Sequence, residues 1–303
     1  MKIFILTSFY ITACLSSNCE KGYFILQGMS ECHELLTCAD MSKLVFKTDI
    51  SSGSTKHVSL FTWQNHLVTV SVLANKDFEV DFLSGLDNLI DLNPSPFVTQ
   101  LIGFCRENFV IITEFHNSGS AKNVMRYMQK MQKIQPLICL NFCINYVEIL
   151  QMLHSEAGGN RVMCDSNSLS KTLEQLLLTS DGRLLLNDVD ASPKLNGGLI
   201  KCGHRQLYGN FVAPEQLWPK ENGEFDDDLM PGYDEKTDIW KLSHICQYFL
   251  KFCDNGKVLA LHLHDIHKKC LDLDPKLRPT ANDVFKQYVD VKNKVNELLK
   301  DEL

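Results

Sequence analysis

The stretch QLLLTSDGRLLLNDVD, residues 175–190, decides the fold of this chain. Two Leu-Leu-Leu triplets flank the pair Asp181-Gly182, a pattern that predicts a β-hairpin. Asp165 lies before this hairpin and Asp188 directly after it. Because a hairpin returns the chain to the place where it started, the two carboxylates are expected at one edge of the structure.

Three further charged positions follow in order: Glu215 in Ala-Pro-Glu, Asp238 in Asp-Ile-Trp and Arg278 in Leu-Arg-Pro-Thr. Each residue alone fits a turn or a cap, but the order, together with Asp165 and Asp188, resembles the protein kinases. In kinases one aspartate faces the acceptor hydroxyl and a second holds metal on the ATP phosphates. The resemblance implies an α+β, two-lobed fold, with a small lobe of five strands and one helix and a larger, mainly helical lobe. Glu215, Asp238 and Arg278 are its structural residues, with Arg278 paired to Glu215.

Composition places the chain among globular proteins and away from nucleic-acid binders. The 303 residues are 45% hydrophobic and 22% charged, which is ordinary for a folded domain. The net charge is −7 and no long basic run offsets it, so no nucleic-acid partner is expected.

The two ends of the chain indicate the secretory pathway. Lys2 is followed by an uncharged stretch at 3–15, shorter than the about 20 residues that span a bilayer. We predict a signal peptide at 1–17. The alternative is an uncleaved signal-anchor, so membrane contact is at most weak. The last four residues, 300–303, read Lys-Asp-Glu-Leu, which predicts recognition by the ER-retrieval receptor and residence in the lumen of the endoplasmic reticulum.

Twelve cysteines fit an oxidising compartment. Loss of Cys14 with the signal peptide leaves an odd number, so at least one unpaired thiol is predicted. Residues 18–43 form a Cys-bearing extension, here called the lead-in. We hypothesise a disulfide between Cys164 and Cys202, which flank the catalytic motifs. Cysteines in apolar helical patterns are expected to be plain core residues: Cys139, Cys143 and Cys246.

Hydrophobic periodicity divides the rest of the chain into two lobes. The small lobe, 44–115, has strands predicted at 44–46, 58–61, 67–70, 97–104 and 109–112 and a helix at 78–92. The large lobe, 116–299, has helices predicted at 138–153, 236–252, 256–270 and 281–299. The segment with Glu114 and His116 connects the lobes, where backbone groups are expected to bind the adenine of ATP.

Two kinase features are altered on the phosphate side. Ser71 stands where most kinases carry a lysine on the third strand. In the loop that normally holds three glycines, Gly53 keeps the second place and Lys56 stands at the third. Either the protein has lost catalysis, or Lys56 reaches the phosphates from the second strand. The alternative for Lys56 is a solvated turn residue.

The metal side is altered as well. Gln175 takes the place of the asparagine that binds the second ion in kinases, and its amide offers the same carbonyl oxygen. Asp188 keeps its place, but the Phe-Gly that usually follows is Val189-Asp190. Loss of the glycine suggests a less mobile switch.

These departures together resemble one family, the protein O-mannose kinases of the secretory pathway. The resemblance rests on MCDSN at 163–167, KTLEQ at 171–175, NDVDA at 187–191 and FVAPEQLWP at 211–219. A Cys-rich lead-in and a lysine in the place of Lys56 also agree. The match covers roughly 19–290.

The family transfers the γ-phosphate of ATP to the 6-hydroxyl of an O-linked mannose in a GalNAc-GlcNAc-mannose trisaccharide on α-dystroglycan. The resemblance therefore implies Asp165 as the catalytic base. Asp188 and Gln175 would hold Mg²⁺ or Mn²⁺, and Lys56 would bind phosphate with Gly53 in the loop above it. Asp81 is the expected partner of Lys56.

Two assignments keep alternatives. Glu79 competes with Asp81 for Lys56. Three residues are candidates for stacking on the sugar, with packing of the activation segment as the alternative: His204, Tyr208 and Trp218. The rival functions are a catalytically inactive, kinase-like scaffold that binds glycan in the secretory pathway, and a kinase for protein serine and threonine.

Overall fold

The computed structural model of the protein describes residues 19–131, 137–203, 205–220 and 224–301. The predicted signal peptide, 1–17, and the last two residues of the retrieval tail lie outside these ranges. No helix within the described ranges is both long and apolar enough to cross a lipid bilayer.

The lead-in folds onto the small lobe. Its strands β1 (Tyr23–Phe24) and β2 (His33–Glu34) pair antiparallel. Two disulfides fix the lead-in, one within it and one to the sheet: Cys19–Cys32 and Cys38–Cys105. Leu36 packs so closely on Gly103 that a Cβ at Gly103 would lie 2.5 Å from the Cβ of Leu36, so this contact requires glycine. The lead-in therefore belongs to the core of the small lobe.

The small lobe is built on one antiparallel sheet. Its strands are β3 (Val45–Ser52), β4 (Lys56–Trp63), β5 (His66–Leu73), β6 (Leu101–Cys105) and β7 (Val110–Glu114). Their spatial order is β3-β4-β5-β7-β6. Val68 and Val70 are two residues apart on β5, so their side chains lie on the same face of the sheet. Both pack with Trp63 against the lead-in, and β-branched residues are favoured in such strands. The five predicted strands are confirmed, although β3 continues well beyond 44–46.

One helix, α1 (Glu79–Leu92), covers this lobe and confirms the prediction at 78–92. It buries Phe82, Leu86 and Leu89, the spacing of one helix face. The predicted strand at 97–104 divides in two. Only its second half joins the sheet, while its first half hydrogen-bonds to Leu186 of the central hairpin and so ties the two lobes together.

The large lobe is mainly helical and surrounds the central hairpin. Its helices are α2 (Val124–Gln129), α3 (Ile138–Leu153), α4 (Leu169–Glu174), α5 (Lys236–Leu250), α6 (Gly256–His262), α7 (His264–Cys270) and α8 (Ala281–Asp301). The hairpin strands are β8 (Leu176–Leu178) and β9 (Leu184–Leu186), as predicted. The apolar helix α3 packs against α5 and α8. Its bounds agree with the prediction at 138–153.

Two sequence predictions for the large lobe fail. The single helix expected at 256–270 is interrupted at Leu263, whose φ of −92° and ψ of −1° depart from helical values. Cysteines expected to be plain core residues form disulfides between α3 and the region of α5: Cys139–Cys253 and Cys143–Cys246. Their spacing along α3 is four, so both face α5, and an apolar pattern does not distinguish a buried thiol from a buried disulfide.

One cysteine among the described residues, Cys270, is unpaired and buried, in line with the odd count. Burial raises the pKa of its thiol to about 12. The mixture of helix and sheet, with one sheet above and helices below, confirms the predicted α+β class.

Candidate active site

The catalytic loop around Asp165 rests on buried charges of α5. The carboxylate of Asp238 accepts a hydrogen bond from the backbone N–H of Met163 at 3.0 Å. It also lies 3.2 Å from Nε2 of His154. Burial acts to raise the pKa of Asp238, but the hydrogen bond with His154 and the nearby Lys241 outweigh it and lower the pKa. The predicted structural role of Asp238 thus has a physical basis, because it fixes the backbone just before Asp165.

The carboxylate of Asp165 faces a cation that the sequence analysis did not assign. The Nζ of Lys171, from α4, hydrogen-bonds to Oδ1 of Asp165. About a third of each side chain is exposed, so the pair opens to solvent. Lys171 lies within the KTLEQ motif, but its position six residues after Asp165 does not by itself predict the contact. The contact forms because the short helix α4 turns the chain back toward Asp165.

Gln175 joins the loop that contains Asp165 to the segment that contains Asp188. Its Nε2 donates to the backbone carbonyl of Asp165 at 2.5 Å, and its own backbone carbonyl accepts from the N–H of Asn187 at 2.8 Å. Gln175 is buried. Since the amide nitrogen is engaged, the amide oxygen is the end left to bind a metal.

Lys56 is the first residue of β4, and its side chain reaches Asp188 and Asp190. We call the region around these three residues the cleft. The Nζ of Lys56 lies 2.5 Å from Oδ1 of Asp190 and 3.4 Å from Oδ1 of Asp188. Burial acts to lower the pKa of Lys56, but the two carboxylates outweigh it and raise the pKa. The ammonium is therefore charged and held between two acids, and the alternative of a solvated turn residue does not describe it.

The partner of Lys56 differs from the expected one. Asp81 and the competing Glu79 are both exposed on α1, while the ion pairs of Lys56 go to Asp190 and Asp188. The reason lies in Gly85, where a Cβ would stand 1.9 Å from Oδ1 of Asp190. A residue without a side chain at this point of α1 lets Asp190 enter the space beside the lysine.

Asp190 is the functional residue that the sequence analysis recognised only as a departure from Asp-Phe-Gly. Burial raises its pKa to about 7, the charge of Asp188 acts in the same direction and the ammonium of Lys56 opposes them. The sequence does contain a signal for this pairing. Asp190 stands where kinases have glycine, and Lys56 lies on the second strand instead of the third. A lysine on a different strand can be expected to pair with a different carboxylate.

The connector between the lobes is ordered by Glu114. Its Oε1 accepts from the backbone N–H of Gln100 at 2.9 Å and lies 3.2 Å from Nε2 of His116. Burial acts to raise the pKa of Glu114, but the hydrogen bond with His116 outweighs it and lowers the pKa. Gly53 lies in the turn between β3 and β4, where its N–H donates to the carbonyl of Lys56 at 2.8 Å. Their roles toward ATP stay predictions.

Two links hold the activation segment. A disulfide joins Cys164 to Cys202, as hypothesised, and so anchors the segment beside Asp165. Further on, Glu215 and Arg278 form the expected pair through two hydrogen bonds of 2.6 and 2.7 Å. The Arg278 side chain is fully buried.

The three candidates for sugar stacking are not brought together. His204 lies outside the described residues. Tyr208 is 72% exposed. Trp218 packs edge-on against Phe225, with ring centroids 5.4 Å apart. Exposure leaves Tyr208 open to a ligand, whereas the Trp218 ring has a packing role.

The residues of the cleft fit a metal–nucleotide complex. The carboxylates of Asp188 and Asp190 and the amide oxygen of Gln175 are the hard oxygen donors that Mg²⁺ and Mn²⁺ prefer. Lys56 supplies a cation of the kind that binds phosphate. The partly exposed carboxylate of Asp165 is of the chemical type that can accept a proton from a hydroxyl.

Comparison with known proteins agrees with this geometry. The chain is 43% identical to the protein O-mannose kinase of Gallus gallus over 283 residues, covering 91% of this chain and 80% of the relative. It is 42% identical to the protein O-mannose kinase of Homo sapiens, covering 91% and 81%, and 41% identical to that of Xenopus laevis, covering 89% and 79%. No family model matches.

A distant relative supports the fold. A probable serine/threonine-protein kinase of Dictyostelium discoideum is 23% identical over 84% of this chain and 25% of its own length. The fold is thus kinase-like, and the protein is a phosphotransferase with an alcohol group as acceptor, which uses ATP and a divalent metal. At 41–43% identity over about nine-tenths of its length, the chain belongs to the protein O-mannose kinase family.

Proposed function

We propose that the protein transfers the γ-phosphate of ATP to the 6-hydroxyl of an O-linked mannose. The acceptor is the mannose of a GalNAc-GlcNAc-mannose trisaccharide on a glycoprotein of the α-dystroglycan type. The observation that carries the proposal is the linkage of two charge pairs. Lys56 pairs with Asp188, and Lys171 pairs with Asp165. Gln175 connects the two, because it hydrogen-bonds to the backbone of Asp165 and of Asn187.

On the acceptor side, Asp165 takes the proton of the mannose hydroxyl as its oxygen bonds to the γ-phosphorus, while the bond from that phosphorus to the bridging oxygen of ATP breaks and ADP leaves. The amine of Lys171 contacts this carboxylate. It holds the carboxylate in place and, standing at the opening of the cleft, can also meet the charge of the transferred phosphoryl group.

On the phosphate side, Asp188 and Gln175 would hold Mg²⁺ or Mn²⁺, which neutralises charge on the phosphates when bound. Lys56 would exchange its present carboxylate contacts for phosphate oxygens. An ammonium on a flexible stem suits such an exchange, because it binds as a point charge without a fixed fork of donors. The connector with Glu114 and His116 would receive the adenine.

For the setting of the reaction, we propose the lumen of the endoplasmic reticulum, with retrieval through the Lys-Asp-Glu-Leu terminus. The five disulfides fit an oxidising secretory compartment. A glycan contact is proposed for the exposed Tyr208.

The test is incubation with ATP, Mn²⁺ and the synthetic trisaccharide, followed by mass spectrometry. We expect one phosphate on the mannose. Asp165→Asn should lower the rate by roughly 10²–10⁴-fold, the contribution of a general base. The same variant should keep its thermal stabilisation by ATP with Mn²⁺. Phosphate on peptide serine or threonine instead of mannose would make the protein a kinase of another acceptor class.

The alternative that Ser71 raised, a catalytically inactive, kinase-like scaffold that binds glycan, is disfavoured by the kinase relatives. Such a scaffold would show no shift of the melting temperature with ATP and Mn²⁺, whereas the trisaccharide alone would still stabilise it.

A further inference from the structure

Helix α1 reaches the metal-binding segment through an amide rather than through an ion pair to Lys56. Nδ2 of Asn88 donates to the backbone carbonyl of Val189 at 2.8 Å. Val189 lies between Asp188 and Asp190, the two carboxylates that face Lys56. A hydrogen bond at this carbonyl therefore bears on the position of both acids.

The orientation of the Asn88 amide is set by Arg161. One guanidinium nitrogen of Arg161, Nη1, donates to Oδ1 of Asn88 at 2.6 Å. Because arginine only donates, it must face the oxygen end of the amide. The nitrogen end is then directed at Val189, as observed.

Arg161 also hydrogen-bonds directly to the segment that follows Val189. Its Nη1 donates to the backbone carbonyl of Ser192 at 2.7 Å, and its Nη2 donates to Asp91 of α1 at 2.6 Å. The side chain is 2% exposed. A buried guanidinium with four hydrogen bonds, the fourth from Nε to the carbonyl of Gly158, has little freedom to move, so α1 and the segment 188–192 are held to one another.

We propose that Asn88 is a positioning residue, which fixes the Asp188–Asp190 segment against α1, and that Arg161 sets the direction of its amide. In this protein the pair does the coupling that an acidic residue of α1 would do by pairing with Lys56. The consequence for catalysis rests on the proposed function. The coupling itself does not.

The test replaces Asn88 by aspartate, which has the same shape. Asn88→Asp keeps an acceptor for Arg161 but turns the donor to Val189 into a second oxygen facing a carbonyl. We expect hydrogen–deuterium exchange of the amides in 188–192 to become about tenfold faster in the protein without nucleotide, while exchange in α3 stays as in the wild type. The matched control is Asp87→Asn, whose carboxylate pairs with Arg106 outside the cleft and whose loss should leave 188–192 unchanged.

Kinetics add a second readout. Asn88→Asp should lower kcat about tenfold and leave KM for the trisaccharide within twofold, because the acceptor side is untouched. Wild-type exchange at 188–192 in Asn88→Asp overturns the proposal, whatever the activity. Should Asn88→Asp not fold, Asn88→Ser is measured in the same way, and unchanged exchange there overturns it equally. A wild-type protein without transferase activity would instead refute the proposed function, and the exchange result would still decide this coupling.

Discussion

Two ion pairs of this protein differ in geometry although each joins one cation to a carboxylate. They are Lys56–Asp190 in the cleft and Arg278–Glu215 in the large lobe. Arg278 makes two parallel contacts with Glu215 and also donates to the backbone carbonyls of Asp272 and Lys236. Lys56 is 18% exposed and divides its single ammonium between two acids.

The difference teaches how a cation with a permanent role can be told from one that changes partner. The Arg278 guanidinium makes four hydrogen bonds inside the protein and its side chain is fully buried, so it is not placed to bind a ligand. An ammonium at the edge of a cleft, beside a 40% exposed Asp188, can move to a phosphate that enters. The first pair is expected to matter for stability and the second for the proposed phosphoryl transfer.

The largest effect is expected at Arg278. Arg278→Met leaves Glu215 without its cation in a buried setting, so the free energy of unfolding should fall by about 3–5 kcal/mol. Urea denaturation followed by circular dichroism measures it. The control is Arg183→Met, which removes an exposed pair with Asp181 and should cost less than about 1 kcal/mol. If Arg278→Met and Arg183→Met lowered the free energy of unfolding equally, the buried pair Arg278–Glu215 would have no special role in stability.

Lys56 should show the opposite balance. Lys56→Met is expected to lower kcat/KM for ATP about a hundredfold, which corresponds to about 2.7 kcal/mol of transition-state stabilisation. The free energy of unfolding should change by only about 1 kcal/mol, because without the ammonium Asp190, whose pKa is already about 7, takes up a proton instead of remaining as a buried charge. Steady-state kinetics and urea denaturation on one preparation give both numbers. Full activity in Lys56→Met would remove Lys56 from the proposed site.

A smaller effect tests whether the strand that supplies the cation matters. Ser71 on β5 pairs with Val58 on β4, so its side chain lies on the same face of the sheet as Lys56. Adding Ser71→Lys to Lys56→Met should restore about tenfold of the lost kcat/KM for ATP.

The matched control for that rescue is Ser71→Gln in the same background, which supplies length without charge. Equal activity of the lysine and glutamine variants would show that position 71 does not face the phosphates.

Much of the fold followed from the sequence because its signals are local. Helix α3 is apolar over its whole length, and its ends agree with the prediction. The hairpin follows from two leucine triplets around Asp181-Gly182. Short elements such as α2 and α4 were missed because six residues carry too little periodicity to be recognised.

What failed depends on contacts between distant residues. Cys143 and Cys246 look alike whether or not they are bonded, since their pairing requires α3 and α5 to be side by side. For the same reason a partner on α1 was predicted for Lys56, whereas the close approach at Gly85 admits Asp190. A motif can identify which residues take part but not which of them meet.

The lead-in has a practical consequence for anyone who shortens this chain. Phe24 and Leu36 cover Trp63 and Ile102 in one cluster. A recombinant fragment that started at residue 44 would expose this hydrophobic cluster on the small lobe and leave Cys105 without its disulfide partner Cys38. Expression boundaries are best drawn upstream of Cys19, and a shorter version is expected to precipitate or dimerise through the exposed cluster.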